Sequence, residues 1–174
     1  MKKVVLIGFM GTGKTAVGRR LARLLGWDFV DTDTEIEELT GKTVARIFQE
    51  DGEVRFRSEE NLLCRRLESV SRTVIATGGG MVLNPDNVAL LKRNAVLVKL
   101  YADPEVIVHR VKKKKKGRPL LKGDLHERVK QLLAERNGAY DIAEFAVDTG
   151  KQDPDTSARI IYDYLKQEGK LLSD

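Results

Sequence analysis

Short apolar runs alternate with amphipathic segments along this chain. Residues 3–7 form a mainly β-branched and leucine run that ends at Gly8, which is typical of a strand buried on both faces. Apolar residues then recur at the spacing of one helical face, at Val17, Leu21, Leu24 and Leu25. Gly26 follows as a helix stop signal, so the pattern predicts a strand, a loop and a helix at the start of the chain.

The same alternation continues through the rest of the sequence. Further strands are predicted at residues 29–30, 73–76, 95–100 and 145–147. Helices are predicted from about residue 34, over 44–70 with a break at Asp51-Gly52, after Asp103 as a capping carboxylate, from about Leu125 and from Pro154. Strands alternating with helices, without hairpin signals, predict an α/β fold of three layers, α/β/α, around a central five-stranded parallel sheet.

Length and composition limit what the chain can be. With 174 residues, 41% hydrophobic and 33% charged, it can bury one core, so we expect a single domain over residues 1–174. The longest apolar stretch, residues 4–10, is too short to cross a bilayer. Cys64 has no second cysteine to pair with, and His109 and His126 are too few for a Cys/His metal cluster. These features predict a cytoplasmic protein without a membrane partner.

Basic residues are concentrated in one segment. The formal net charge is +5, but residues 110–118 alone carry seven positive charges, so the rest of the chain is slightly acidic. A solvated helix end, where cations suit the helix dipole, is the interpretation that we favour. A phosphate-facing or nucleic-acid-binding segment is the alternative, although we expect no nucleic-acid partner.

A phosphate-binding motif lies between the first strand and the first helix. Residues 8–15 fit G-x-x-x-x-G-K-[ST], and the motif requires this context of a preceding strand and a following helix. Its glycines let backbone N–H groups converge on phosphate oxygens, and the helix start adds positive potential. Lys14 is expected to reach the β- and γ-phosphates, and the Thr15 hydroxyl is expected to bind Mg²⁺. The motif predicts a nucleotide-binding protein of the P-loop NTPase type.

Two carboxylates follow the second strand. Asp31 and Asp33 are expected at the carboxyl edge of the sheet, where open α/β sheets bind ligands. In an extended segment their side chains would share a side, so that one could hold Mg²⁺ and the other could accept a proton from an attacking hydroxyl. Alternatively, either one caps the helix that starts near Thr34.

Glycines and arginines supply further candidate anion ligands. The glycines at 78–80 end a strand, and they either offer N–H groups to a ligand or form a plain flexible loop. Arg136 returns to the apolar face of the helix from Leu125, so it must meet either an internal carboxylate or an anionic ligand. Arg57 has Glu60 one turn later, and this pair either orients the guanidinium or lies on the surface.

Together these motifs closely resemble those of the shikimate kinase family. The strings that carry the resemblance are the phosphate loop, Asp31-Thr-Asp33, Phe56-Arg57 with Glu60, Gly78-Gly79-Gly80, Arg118-Pro119-Leu120-Leu121, and Glu135-Arg136 with Tyr140. They follow the family's order and cover nearly the whole chain. Each string except the phosphate loop is weak alone, but the set is specific. The five consecutive lysines before Arg118 depart from the family pattern, which leaves the electrostatics of that segment open.

The resemblance implies a role for each matching residue. ATP would be bound by Gly11, Thr12, Gly13, Lys14, Thr15, Ala16, Arg110, Arg118 and Pro154. Shikimate would be bound by Asp33, Arg57, Gly78, Gly79, Gly80 and Arg136. Lys14, Asp33 and Arg118 would be catalytic, with Arg118 on a mobile lid of about residues 112–124. Mg²⁺ would be bound by Thr15 and Asp31.

Other classes of protein share part of this pattern. Another small-metabolite kinase, for gluconate or a nucleoside monophosphate, would have the same phosphate loop and a different acceptor pocket. A nucleotide-dependent binding module, or a nucleic-acid binder that uses the lysine run, belongs to a different class. A Ras-type GTPase is disfavoured because D-x-x-G and N-K-x-D do not occur in the chain. The resemblance favours an ATP-dependent shikimate kinase that is cytoplasmic and monomeric.

Overall fold

One parallel sheet forms the centre of the molecule. The computed structural model describes residues 2–114 and 123–171. The strands are β1 Lys3–Ile7, β2 Asp28–Asp31, β3 Thr73–Ala76, β4 Ala95–Tyr101 and β5 Phe145–Asp148. Their order in the sheet is β2-β3-β1-β4-β5, and every neighbouring pair runs parallel. The predicted strands and the predicted parallel sheet are therefore confirmed.

The helices begin and end close to the sequence signals. They are α1 Lys14–Leu25, α2 Thr32–Thr40, α3 Val44–Glu50, α4 Glu53–Leu67, α5 Pro85–Lys92, α6 Pro104–Lys113, α7 Leu125–Glu135 and α8 Pro154–Gln167. The break at Asp51-Gly52 is confirmed, and Gly52 takes the positive φ of 86° that separates α3 from α4. Asp103 occupies the N-cap of α6, but its side chain makes no capping hydrogen bond, so its expected capping role is wrong.

Two helical segments lie outside the sequence-based prediction. A 3₁₀ helix, Met81–Leu83, and then α5 follow the glycines at 78–80. The signal for α5 is present in the sequence, since Asn84 accepts a hydrogen bond from the backbone N–H of Asp86 and Pro85 is the first helical residue. Its apolar periodicity is short, which explains why pattern alone did not predict it.

Alternate residues of the strands face two different helical layers. Val5, Ile7 and Ile75 pack into a cluster with side chains of α2 to α7. Val4, Leu6 and Val74 point to the other face and pack against α1 and α8. This is the period-two alternation of a strand whose two faces are both buried, and it confirms the three-layer α/β/α architecture. No helix among the described residues is long and apolar enough to span a membrane.

The sheet order brings three loops to one edge. The chain places β3 on one side of β1 and β4 on the other, so the carboxyl end of β1 lies where the strand order reverses. The loops after β1, β2 and β3 all leave from this edge. Gly8 is required there, because a Cβ on it would clash with the carbonyl oxygen of Leu100 on β4.

Candidate active site

A cavity of about 450 Å³ lies at this carboxyl edge of the sheet. One group of lining residues comes from the phosphate loop and the strand ends: Met10, Gly11, Gly13, Lys14, Thr15, Asp31, Asp33, Thr77, Gly78, Gly79 and Gly80. The other comes from the helices and the α7 end: Val44, Phe48, Phe56, Arg57, Glu60, Arg110, Lys113, Lys114 and Arg136. Most candidate residues therefore meet in one place, although they are far apart in the sequence.

The phosphate loop is folded around the side chain of Lys14. Gly11 and Gly13 have positive φ angles of 76° and 91°, which an ordinary side chain rarely adopts. Nζ of Lys14 donates hydrogen bonds to the carbonyl oxygens of Gly8 at 2.7 Å and Phe9 at 2.9 Å. The ammonium group is thus held across the loop at the start of α1, where both the charge and the helix dipole favour an anion.

Asp31 connects the phosphate loop to α2. Its Oδ2 accepts a hydrogen bond of 2.5 Å from the Thr15 hydroxyl, while its Oδ1 accepts from the backbone N–H groups of Asp33 and Thr34. Asp31 is therefore the N-cap of α2, so the capping alternative is confirmed for this residue. Its other carboxylate oxygen faces Thr15, the second residue at which Mg²⁺ is expected. The expectation that Asp31 and Asp33 share an extended segment is wrong, because Asp33 lies in the first turn of α2.

Asp33 is a buried carboxyl group that faces the cavity. Burial, and secondarily the charge of Asp31, raise the pKa of Asp33 to about 6. Among the described residues, Oδ1 of Asp33 has no hydrogen-bond partner. Gly78 leaves room for this oxygen, because a Cβ on Gly78 would lie only 2.7 Å from it. An unpaired carboxyl oxygen with a raised pKa is suited to accept a proton from a bound hydroxyl.

Arg57 and Glu60 form a partly buried ion pair at the same wall. Nη1 of Arg57 donates to Oε2 of Glu60 at 2.8 Å, and Nη2 donates to Glu53 at 3.1 Å. Glu60 is 1% exposed, and burial raises its pKa to about 7, although the charge of Arg57 opposes this shift. A Cβ on Gly80 would lie 2.6 Å from the guanidinium nitrogens. The pair therefore orients Arg57 beside Gly80 and is not a surface contact.

Arg136 is a buried cation at the end of α7. It is 6% exposed, and its guanidinium lies over the ring of Phe9 at 5.6 Å. Within the described part of the chain, Nη1 of Arg136 has no hydrogen-bond partner and no ion pair includes Arg136. No carboxylate among the described residues forms an ion pair with Arg136, although the charge of Arg136 counteracts the rise in the pKa of Glu60. An anionic ligand in the cavity as the partner of Arg136 stays a prediction.

The predicted nucleotide residues are not all at the cavity wall. Arg110 lines it and donates to the carbonyl oxygens of Thr149 at 2.5 Å and Gly11 at 3.3 Å. Thr12, Ala16 and Pro154 are not among the lining residues, and Pro154 is the first residue of α8. Arg118 and most of the predicted lid lie outside the described residues.

Sequence reasoning missed part of the wall. Val44 and Phe48 of α3 and Phe56 of α4 supply an apolar surface, and Lys113 and Lys114 supply two exposed cations. No sequence signal distinguishes these apolar residues from ordinary core residues, since helical periodicity predicts burial and not a cavity. The lysine run did suggest phosphate-facing cations as an alternative, and two of its members do reach the cavity.

Known proteins are similar to nearly the whole chain. A model of the shikimate kinase family matches residues 10–166. The shikimate kinase of Pelotomaculum thermopropionicum is 61% identical over 171 residues, which cover 98% of this chain and 99% of that protein. The shikimate kinase of Desulforudis audaxviator is 60% identical over 171 residues, with 98% of this chain and 90% of that protein covered.

A solved structure is similar to this chain in its fold. The shikimate kinase from Acinetobacter baumannii in complex with shikimate superposes with a TM-score of 0.91 at 36% identity. The superposition covers 97% of this chain and 94% of that chain. Membership of this family accounts for the order of the motifs, the parallel sheet and the cavity at its carboxyl edge. The chain belongs to the shikimate kinase family.

Proposed function

We propose that this chain transfers the γ-phosphoryl group of ATP to the 3-hydroxyl of shikimate, giving shikimate 3-phosphate and ADP on the route to chorismate and the aromatic amino acids. One observation carries the proposal: a single cavity joins Lys14 of the phosphate loop, the buried Asp33 carboxyl and Nη1 of Arg136, which has no hydrogen-bond partner among the described residues. Family membership and the relative's complex with shikimate support the same substrate.

The phosphate loop forms the donor side of this site. Its backbone N–H groups and Lys14 bind the β- and γ-phosphates and offset the charge that develops during transfer. Thr15 and Asp31 would hold Mg²⁺, because a hydroxyl and one carboxylate are the kind of partial ligand set that Mg²⁺ uses beside a nucleotide. The ion would neutralise phosphate charge, while Thr15 and Asp31 fix where it sits.

The opposite wall forms the acceptor side. Arg136 and Arg57, with backbone near Gly79 and Gly80, bind the carboxylate of shikimate by charge-assisted hydrogen bonds. Asp33 orients the ring hydroxyls and accepts the proton of the hydroxyl that attacks phosphorus. Glu60 keeps the Arg57 guanidinium in place through its 2.8 Å hydrogen bond. Positioning and charge neutralisation contribute most of the catalysis in this arrangement.

The remaining assignments complete the proposal. Arg118 stabilises the transferring phosphoryl group from a lid of about residues 112–124, and the closed lid excludes water. Thr12, Ala16, Arg110 and Pro154 contribute to binding ATP. One chain is enough to form the site, since its residues line both sides of the cavity. We propose that it acts as one domain and as a monomer. We place it in the cytoplasm, where the buried thiol of Cys64 stays reduced.

The test is ADP release with MgATP against shikimate, gluconate and AMP as acceptors. We expect shikimate-dependent ADP release, with little release for the other two, and a single phosphorylated product whose phosphorus couples to the proton on C3 in NMR spectra. Gluconate or AMP as the preferred acceptor would instead assign the chain to another small-metabolite kinase activity.

A further inference from the structure

Thr149 lies at the junction of three segments that surround the nucleotide side of the cavity. It follows β5 directly and is only 3% exposed. Its hydroxyl oxygen is 2.6 Å from the carbonyl oxygen of Thr12 in the phosphate loop and 3.2 Å from that of Tyr101 at the end of β4. Nη1 of Arg110 on α6 lies 3.2 Å from the same hydroxyl oxygen. One buried side chain therefore links the phosphate loop, β4 and α6.

The hydrogen bonds of this hydroxyl have a defined direction. A threonine hydroxyl has one proton to donate, and a guanidinium can only donate. Arg110 is therefore the donor to Thr149, and the proton of Thr149 is available for the nearer carbonyl, that of Thr12. The backbone of Thr149 is fixed as well, because its N–H donates to Tyr101 at 2.8 Å and its carbonyl accepts from Nη2 of Arg110 at 2.5 Å.

The bond to Thr12 constrains the next amide group in the phosphate loop. A trans peptide unit is planar, and its C=O and N–H point in opposite directions. The Thr12–Gly13 peptide is trans, as are the other described peptide bonds. Gly13 lines the cavity and Thr149 does not, so a carbonyl held toward Thr149 turns the N–H of Gly13 toward the cavity side.

We propose that Thr149 is a positioning residue for the nucleotide phosphates, which acts by orienting the Thr12–Gly13 peptide and by holding Arg110 against the phosphate loop. Thr149 touches no substrate itself. Its effect is on the geometry of a backbone N–H donor and of one arginine. This inference rests on the proposed function, because it takes the bound anion to be the phosphate chain of ATP or ADP.

Thr149→Val tests the inference because valine keeps the branched shape and removes the hydroxyl. We expect the dissociation constant for MgADP, measured by calorimetry without shikimate, to rise about tenfold, the effect of one lost buried hydrogen bond. The KM for ATP should rise in parallel, while the KM for shikimate should change less than about twofold, since the acceptor wall is untouched. Thr149→Ser, which restores a hydroxyl, should return MgADP binding to within about twofold of wild type.

Thr73→Val is the matched control. Thr73 is also buried, at 4% exposure, and its hydroxyl donates to the backbone carbonyl of Ser71 at 2.9 Å, but it does not line the cavity. We expect a lower Tm with unchanged MgADP affinity. If Thr149→Val fails to fold, Thr149→Ala removes the same hydroxyl without a second methyl group and serves as the test variant.

The outcomes separate this inference from the proposed function. Wild-type MgADP affinity in Thr149→Val, equally weak binding in Thr149→Ser, or equal rises of both KM values would overturn the role of Thr149. A wild-type protein without shikimate-dependent ADP release would overturn the proposed function, and the calorimetric comparison would still decide the role of Thr149 in binding nucleotide.

Discussion

The two sides of the cavity differ in how their polar groups are satisfied. On the phosphate side, Lys14 donates to two backbone carbonyls, and Asp31 accepts from Thr15 and from the start of α2. On the acceptor side, one buried atom each of Asp33, Glu60 and Arg136 has no hydrogen-bond partner within the described residues. The polar groups of the phosphate side are paired within the protein, whereas the acceptor side keeps buried polar atoms without a partner among the described residues.

This difference has an energetic meaning. Unpaired buried polar atoms cost free energy, and the folded state tolerates them where the rest of the structure compensates. Burial raises the pKa of Asp33 to about 6 and that of Glu60 to about 7, so both carboxylates are less stable here than in water. The acceptor side is therefore the part of the site where stability and activity should oppose each other.

Asp33→Asn should produce the largest effect, because it should lower activity and raise stability at the same residue. We expect kcat to fall about 10³-fold, because the variant has no proton acceptor for the attacking hydroxyl. The same change should stabilise the fold at pH 8 by up to about 3 kcal/mol, since it removes a charge that the folded state disfavours. Steady-state kinetics and urea unfolding at pH 8 measure the two effects.

The pH dependence gives the sign of this stability effect. Between the ordinary pKa of 3.8 and the folded value of about 6, the folded state binds more protons at Asp33 than the unfolded state does. The contribution of Asp33 to stability therefore declines as pH rises through this window, and the decline should be absent in Asp33→Asn. Asp163→Asn, on the exposed face of α8, is the control and should change stability by less than about 0.5 kcal/mol. Equal stability of Asp33→Asn and wild type at pH 8 would contradict the prediction.

Lys14→Met tests the phosphate side of the cavity. We expect kcat/KM for ATP to fall by about 10²- to 10³-fold, since a fixed positive charge at the transferring phosphoryl group is lost. Shikimate affinity, measured by calorimetry without nucleotide, should stay within about twofold of wild type. Lys166→Met is the control, because Lys166 is exposed on α8 and does not line the cavity. A comparable loss in the Lys166 variant would mean that net charge, and not position, is responsible.

Arg136→Met sharpens the contrast within the acceptor side. Replacing a buried arginine that pairs with an anionic ligand should raise the KM for shikimate about 100-fold. The affinity for MgADP should stay nearly unchanged. Arg46→Met, which breaks a solvent-exposed ion pair with Glu50, should change neither constant. Shikimate kinetics equal to wild type in Arg136→Met would falsify the assignment of this arginine to the substrate carboxylate.

The two sides also differ in how far the sequence predicts them. The phosphate loop is a contiguous string whose strand and helix are visible in the same twenty residues, so its place and its partners follow from local rules. The five strands and the parallel sheet were predictable for a similar reason, because doubly buried strands and capped helices leave strong local patterns.

The acceptor side depends on long-range geometry. The sequence predicts that Arg136 is a cation on an apolar helix face, but it leaves open whether a carboxylate meets it. The burial of Glu60, and the meeting of Asp33 with Gly78, result from packing between α2, α4 and the loop after β3. The apolar wall from Val44 and Phe48 has no local signal at all. Only the three-dimensional structure supplies these features, because each is defined by distances between separate elements.

The pH profile of kcat/KM for shikimate should show the smallest effect and test the proton acceptor alone. At saturating ATP, this parameter follows the free carboxylate of Asp33, so it should fall with a slope of one below about pH 6. Relative to pH 8, the value at pH 5 should be lower by about tenfold, since about a tenth of Asp33 is then ionised.

The residual activity of Asp33→Asn should lack this acid limb of the pH profile. Glu60→Gln should keep it at nearly the same pH, because Glu60, with a pKa of about 7, is already mostly protonated where Asp33 titrates. An unchanged acid limb in Asp33→Asn would assign the titration to another group and remove Asp33 as the base.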